Sequence, residues 1–126
     1  MVEKMAPKGL EVIIGMRRDP TFGPMMMFGM GGTLVEQLKD ISFRVAPLSL
    51  EDIQEMIDAT IAGKLLKGVR GSSRADIEAV QAAIAALSQA ALDFPELEEI
   101  EINPLVVYPQ GQGALALDSR AVLRPS

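Results

Sequence analysis

This chain of 126 residues has no cysteine, no histidine and no tryptophan. Without cysteine there is no disulfide, no thiolate metal site and no sulfur nucleophile. Without histidine the commonest general base is missing, and the chain carries no phosphohistidine of its own. One tyrosine and four phenylalanines against eight methionines point to a core filled by flexible side chains rather than aromatic rings. A net charge of −5 with no basic run argues against nucleic acid or an anionic membrane as the main partner. No apolar stretch approaches the ~20 residues that span a bilayer, and no charged-then-apolar leader opens the chain, so a cytoplasmic location is expected. What remains is 48 % apolar and 23 % charged, a globular composition in one domain's length of chain.

The apolar pattern then orders the chain. Leu10-Glu11-Val12-Ile13-Ile14-Gly15-Met16 is a β-rich run, and Arg17 to Pro24 has hairpin-loop chemistry. Met25-Met26-Met27-Phe28 reads as the returning strand, its methionines as core filling. Gly29-Met30-Gly31-Gly32 suits either a phosphate-approaching loop or a loose turn, and its spacing fits neither familiar nucleotide motif. Leu34-Val35-Glu36 and Ile41 to Ala46 read as short strands, the second stopped by Pro47.

Ser49-Leu50-Glu51-Asp52 resembles a capping box. The helix it opens buries Ile53, Met56, Ile57 and Ile61 at helical spacing, with Gly63 as its end. Leu65 to Gly71 is expected to be a linking loop. Ser73 with Asp76 repeats the start signal, and Ile77, Val80, Ile84, Leu87 and Ala91 form one stripe ending at Phe94-Pro95. Both helices are assigned to packing. Strands without helical crossovers favour an α+β fold, a mainly antiparallel sheet with two main helices packed on one face.

The chemistry concentrates near the end. Glu98-Glu99-Ile100-Glu101-Ile102-Asn103-Pro104-Leu105 and Leu117-Asp118-Ser119-Arg120 alternate apolar and polar residues, with turn-formers Pro109 to Gly113 between them. A hairpin centred on the Gln110–Gly111 bond sets Asn103 opposite Asp118 and Glu101 opposite Arg120. Opposed residues share a face, their Cβ atoms about 4.5–5.5 Å apart. One amide and one carboxylate there suit a hard cation brought by substrate phosphates. The same pattern equally describes a solvated acidic strand with Glu101–Arg120 as a surface ion pair. A bulge at Pro104 or Gly113 would shift the register by one and part the two side chains.

Several blocks, in order, now resemble one family: Val2-Glu3-Lys4-Met5, Gly9 to Met16, Arg18-Asp19-Pro20-Thr21-Phe22-Gly23-Pro24, Phe28 to Gly32, Arg44-Val45-Ala46-Pro47-Leu48, Gly68-Val69-Arg70-Gly71 and Glu101-Ile102-Asn103-Pro104-Leu105. They look like the ATP-grasp domain of ADP-forming acyl-CoA synthetases, among them ADP-forming acetate–CoA ligase, with succinyl-CoA synthetase β chains more distant. The resemblance covers the second half of that domain. It implies that residues 1–126 are one domain, the second (C-terminal) lobe of an ATP-grasp fold and a fragment of a longer chain.

The resemblance also implies roles. Glu3 and Glu11 fall on carboxylates that contact the nucleotide, ATP or ADP. Asn103 and Asp118 fall on two magnesium ligands, Mg2+ being the implied metal cofactor; no residue is implied as catalytic in its own right. The implied reaction is phosphoryl transfer between ATP/ADP and an acyl phosphate through a phosphohistidine, in an acid–thiol ligase. Implied partners are the first ATP-grasp lobe and the CoA-binding domains or subunit, with a homo-oligomer possible, and the chain alone is expected to be inactive. A similar region is also fused to some multidomain protein acetyltransferases, where it senses nucleotide without catalysing ligation.

Overall fold

In a computed structural model, residues 9–31, 40–68 and 74–125 are described. Strands β1 (Leu10–Asp19) and β2 (Gly23–Met30) form a hairpin, and β3 (Ile41–Val45) pairs with β2. Helices α1 (Leu50–Asp58), α2 (Ile61–Leu66) and α3 (Ile77–Asp93) follow. Then come β4 (Leu97–Val107), β5 (Ala114–Ala116) and β6 (Ser119–Leu123). All pairings are antiparallel in one six-stranded sheet, ordered β3-β2-β1-β4, with β5 and β6 sharing the outer edge of β4. The expected α+β layout is the one observed. The expected strand at Leu34-Val35-Glu36 lies outside the described residues.

One face of the sheet and the helices enclose the core. Val12, Ile14 and Met16 of β1 pack with Met26 and Phe28 of β2, and with Leu105 and Val107 of β4. The α3 stripe of Ile77, Val80, Ile84, Leu87 and Ala91 is buried against them, as its spacing requires. β1 runs three residues further than expected, because Asp19 makes the turn tight: its Oδ2 accepts from the N–H groups of Thr21 and Phe22, both at 2.8 Å. Arg17 and Arg18 therefore belong to the ladder, opposite Met25 and Pro24.

The helical part departs from expectation at Thr60. The capping box forms at Ser49, with Asp52 N donating to Ser49 Oγ and Ser49 N to Asp52 Oδ2. The helix, however, stops at Asp58 instead of running to Gly63. The buried Thr60 hydroxyl donates to Ile57 O at 2.8 Å and accepts from Gly63 N at 2.9 Å, closing one helix and opening the next. Asp40 completes the start of α2, its two oxygens accepting from Ile61 N and Ala62 N. Ile61 is thereby turned outward, 49 % exposed, and the fully buried Leu66 serves as the anchor in the supposed linking loop. Gly63 sits inside α2, where a Cβ would stand 1.8 Å from Ile57 O.

α3 begins three residues later than the Ser73 signal suggested. Asp76 is the N-cap, accepting from Ala79 N at 3.1 Å. Ser73 lies outside the described residues.

Candidate functional site

The β4–β6 hairpin carries the residues singled out from the sequence. Glu101 pairs with Arg120 and Ile102 with Ser119, and Asn103 N donates to Asp118 O at 3.1 Å, so Asn103 and Asp118 stand opposite one another. Leu117 N to Pro104 O and the β4–β5 ladder continue the same register toward the turn. β4 is irregular on its other edge. Val12 pairs with Leu105 but Ile14 with Ile102, so Asn103 and Pro104 face the single residue Ile13. Pro104 has no N–H for the β1 ladder, and a bulge accommodates it there without disturbing β6. Asn103 is half-buried and Asp118 exposed.

Ile100 and Ile102 pack against the core, so by alternation Glu99, Glu101 and Asn103 belong to the sheet face turned away from α1, α2 and α3. On that face Arg17, Met25, Met27, Phe43, Glu99 and Glu101 border a cleft of 430 Å³. The ion pairing differs from the simple cross-strand expectation. Arg120 reaches diagonally to Glu99, Nη2 to Oε2 3.5 Å, and Arg17 approaches the same oxygen at 3.7 Å. Glu99 is thus shared by two guanidiniums, with Arg17 and Arg120 well exposed. Arg44 Nη1 donates to Phe43 O. Arg18 turns the other way, toward the end of α3, and donates to the carbonyls of Ala91, Phe94 and Leu97.

Glu11 is exposed on β1 opposite Val106, and its backbone O accepts from Gly31 N at 3.0 Å. Glu3 lies outside the described residues. The glycine-rich stretch resolves as strand, not loop, up to Met30. Gly29 pairs with Ile13 and Ile41, and a Cβ there would stand 2.0 Å from Asp40 O, so close backbone packing explains this glycine. Sequence reasoning missed Asp40 and Asp76. Asp40 caps a helix 21 residues away, a partner no local pattern announces, whereas Asp76 carried a cap signal but no hint of its second contact.

Among the described residues no three histidine, cysteine, aspartate or glutamate side chains gather to hold a metal. The donor set at Asn103 and Asp118 fits a cation that takes one or two protein oxygens and completes its shell with water and phosphate. It does not fit an ion needing an all-protein cage. No helix among the described residues is long and apolar enough to cross a membrane.

A family model described as an ATP-grasp domain matches residues 1–123. The chain belongs to the ATP-grasp family. This ATP-grasp chain is 48 % identical over 123 residues to the β subunit of Acetate–CoA ligase [ADP-forming] I of Pyrococcus furiosus, covering 98 % of its own length and 52 % of the relative's. To Acetate–CoA ligase [ADP-forming] I of Archaeoglobus fulgidus it is 46 % identical, again over 98 % of this chain but 18 % of that one. A dinucleotide forming acetyl-coenzyme A synthetase of Ca. Korarchaeum cryptofilum superposes with a TM-score of 0.88 and 46 % identity, over 95 % of this chain and 55 % of that chain. That protein was solved with coenzyme A and Mg-AMPPCP, its phosphohistidine segment pointing towards the nucleotide binding site. The ATP-grasp chain therefore spans about half, or less, of the relatives it matches.

Proposed function

We propose that this ATP-grasp chain is the nucleotide- and magnesium-binding second lobe of an ADP-forming acyl-CoA synthetase, part of a longer protein. In the complete enzyme phosphate would pass between ATP/ADP and an acyl phosphate by way of a histidine. This chain has no histidine, so another part of the protein would supply it. The observation that carries the reading is the hairpin register, which sets an amide and an accessible carboxylate opposite each other on the outer part of the sheet.

Asn103 and Asp118 would hold the cation. One neutral and one anionic ligand leave positive charge uncancelled, and that surplus is what draws phosphate oxygens to the site. Magnesium held there would supply positive charge that offsets the negative charge developing during phosphoryl transfer. Glu11, an acceptor-only group, would meet a donor on the nucleotide, with Glu3 as a second such contact. Arg17 and Arg120, held on Glu99 and exposed, border the approach to the same face. Coenzyme A and the first lobe would be bound by parts of the protein beyond this chain.

The test is Asp118→Asn in the full-length protein. Magnesium-dependent turnover is expected to fall by about a hundredfold, as for loss of a metal ligand or its close support, while the urea midpoint stays near wild type because Asp118 is exposed. Wild-type kinetics across a magnesium titration would remove Asp118 from the site.

A further inference from the structure

The turn joining β4 to β5 is fastened to the start of α3, and one residue there holds it at two points. Asp76 N donates to Tyr108 O at 2.9 Å, and Asp76 Oδ2 accepts from Gly113 N at 2.8 Å. Tyr108 and Gly113 are themselves paired, Tyr108 N to Gly113 O at 3.0 Å. Asp76 thus grips both strands where the hairpin closes. Its other oxygen, Oδ1, is committed to Ala79 N as the helix cap. Flanking bonds reinforce the junction, Gln110 N to Arg74 O and the bridge between Ala75 and Pro109. A helix cap needs one acceptor oxygen; the second, on a residue only 9 % exposed, has no helical use.

We propose that Asp76 is a positioning residue for the cation site, setting through Gly113 the register that places Asp118 opposite Asn103. The proposal rests on the reading of Asn103 and Asp118 given above. Its physical basis is the two-residue period of a strand. A slip of one residue between Gly113 and Asp118 would turn Asp118 to the other face and leave Asn103 without its companion. The turn specifies that register weakly by itself, because Gly111 and Gly113 both sit at positive φ, 87° and 82°, in a stretch with little side-chain packing. A charged acceptor bonded to Gly113 N, paired with the backbone bond to Tyr108, removes the freedom.

Asp76→Ser separates the two duties. Serine caps a helix about as well as aspartate but has no second oxygen for Gly113. In the 126-residue chain, amide hydrogen exchange at Asn103 and Leu117 is expected to accelerate about tenfold, while Ile84 and Leu87 in α3 change by less than about twofold. The magnesium concentration for half-maximal ATP binding is expected to rise about tenfold, with metal-free ATP binding unchanged. Asp76→Asn, whose single oxygen caps the helix while its NH2, a donor, cannot accept from Gly113 N, should give the same split. Unchanged exchange at Asn103 and Leu117 overturns the proposal. So does loss of protection in α3 and hairpin together, which is what a plain helix cap would produce. Wild-type protein that binds ATP without regard to magnesium overturns the site reading instead, and the exchange pattern still judges whether Asp76 sets the register.

Discussion

Arg18 lies in the strand next to Arg17, yet the two arginines do different work. Arg17 stands 80 % exposed beside Glu99, an arrangement that solvent screens to little net energy. Arg18 turns its guanidinium under the sheet's end, donating to Ala91 O at 2.9 Å, Phe94 O at 3.2 Å and Leu97 O at 3.0 Å. These carbonyls are at and just beyond the C-terminus of α3, where orphan acceptors and the negative end of the helix dipole both favour a cation. Arg18→Ala is expected to destabilise the chain by about 2 kcal/mol, read from urea unfolding, whereas Arg17→Ala should stay within about 0.5 kcal/mol. Equal effects would contradict the division of roles. Strand alternation made the two point to opposite faces; which face held a helix end was not visible from their neighbours in the chain.

At the scale of elements, α1 is held at both ends by carboxylates. Asp52 has its carboxyl below the usual range, chiefly through the bond from Ser49 N and then the Ser49 hydroxyl. Asp58 is lowered too, first by the hydrogen bond from Lys67, whose Nζ lies 2.7 Å away. A carboxyl with a lowered folded-state pKa binds its proton less readily when folded than when unfolded. Its contribution is therefore complete above the unfolded value, about pH 4, and lost as pH falls through the lowered one. Both groups are exposed enough for solvent to reduce the effect. The urea midpoint is expected to fall between pH 6 and pH 3, and Asp52→Asn should flatten part of that slope while lowering the midpoint at pH 6. A variant with an unchanged slope would show that the capping box does not titrate with folding. The capping box itself was legible in Ser49 and Asp52, because both partners lie within four residues.

For the whole molecule, the decisive asymmetry is between the two faces of the sheet. Among the described residues, one is sealed by α1, α2 and α3, and the other presents Met25, Met27 and Phe43 with charged residues along its rim. On the proposed reading the chain supplies one half of a cleft and pre-organises only part of a ligand's contacts, so ATP with magnesium should bind the isolated chain weakly. Ligand at ten times its dissociation constant stabilises the folded state by about 1.4 kcal/mol. The melting temperature is therefore expected to rise by a few degrees in saturating Mg-ATP, and to rise less for Asp118→Asn. A shift of the same size in both would place the nucleotide elsewhere on the surface.

The sequence by itself determined the strand and helix periodicities and offered a hairpin centre at Gln110–Gly111, with Asn103 opposite Asp118 as one of two registers. All of these follow from residues close together in the chain, where side-chain period and turn chemistry act directly. Tertiary structure alone decided that Asp40 serves as second cap where Thr60 interrupts the helix, that Arg120 turns to Glu99 rather than Glu101, and that the Pro104 bulge falls on the β1 edge. It also decided that Asp76 holds Gly113 across 37 residues. These contacts join groups that meet only after the layers have packed, and nothing in a local pattern chooses among the partners that packing brings near.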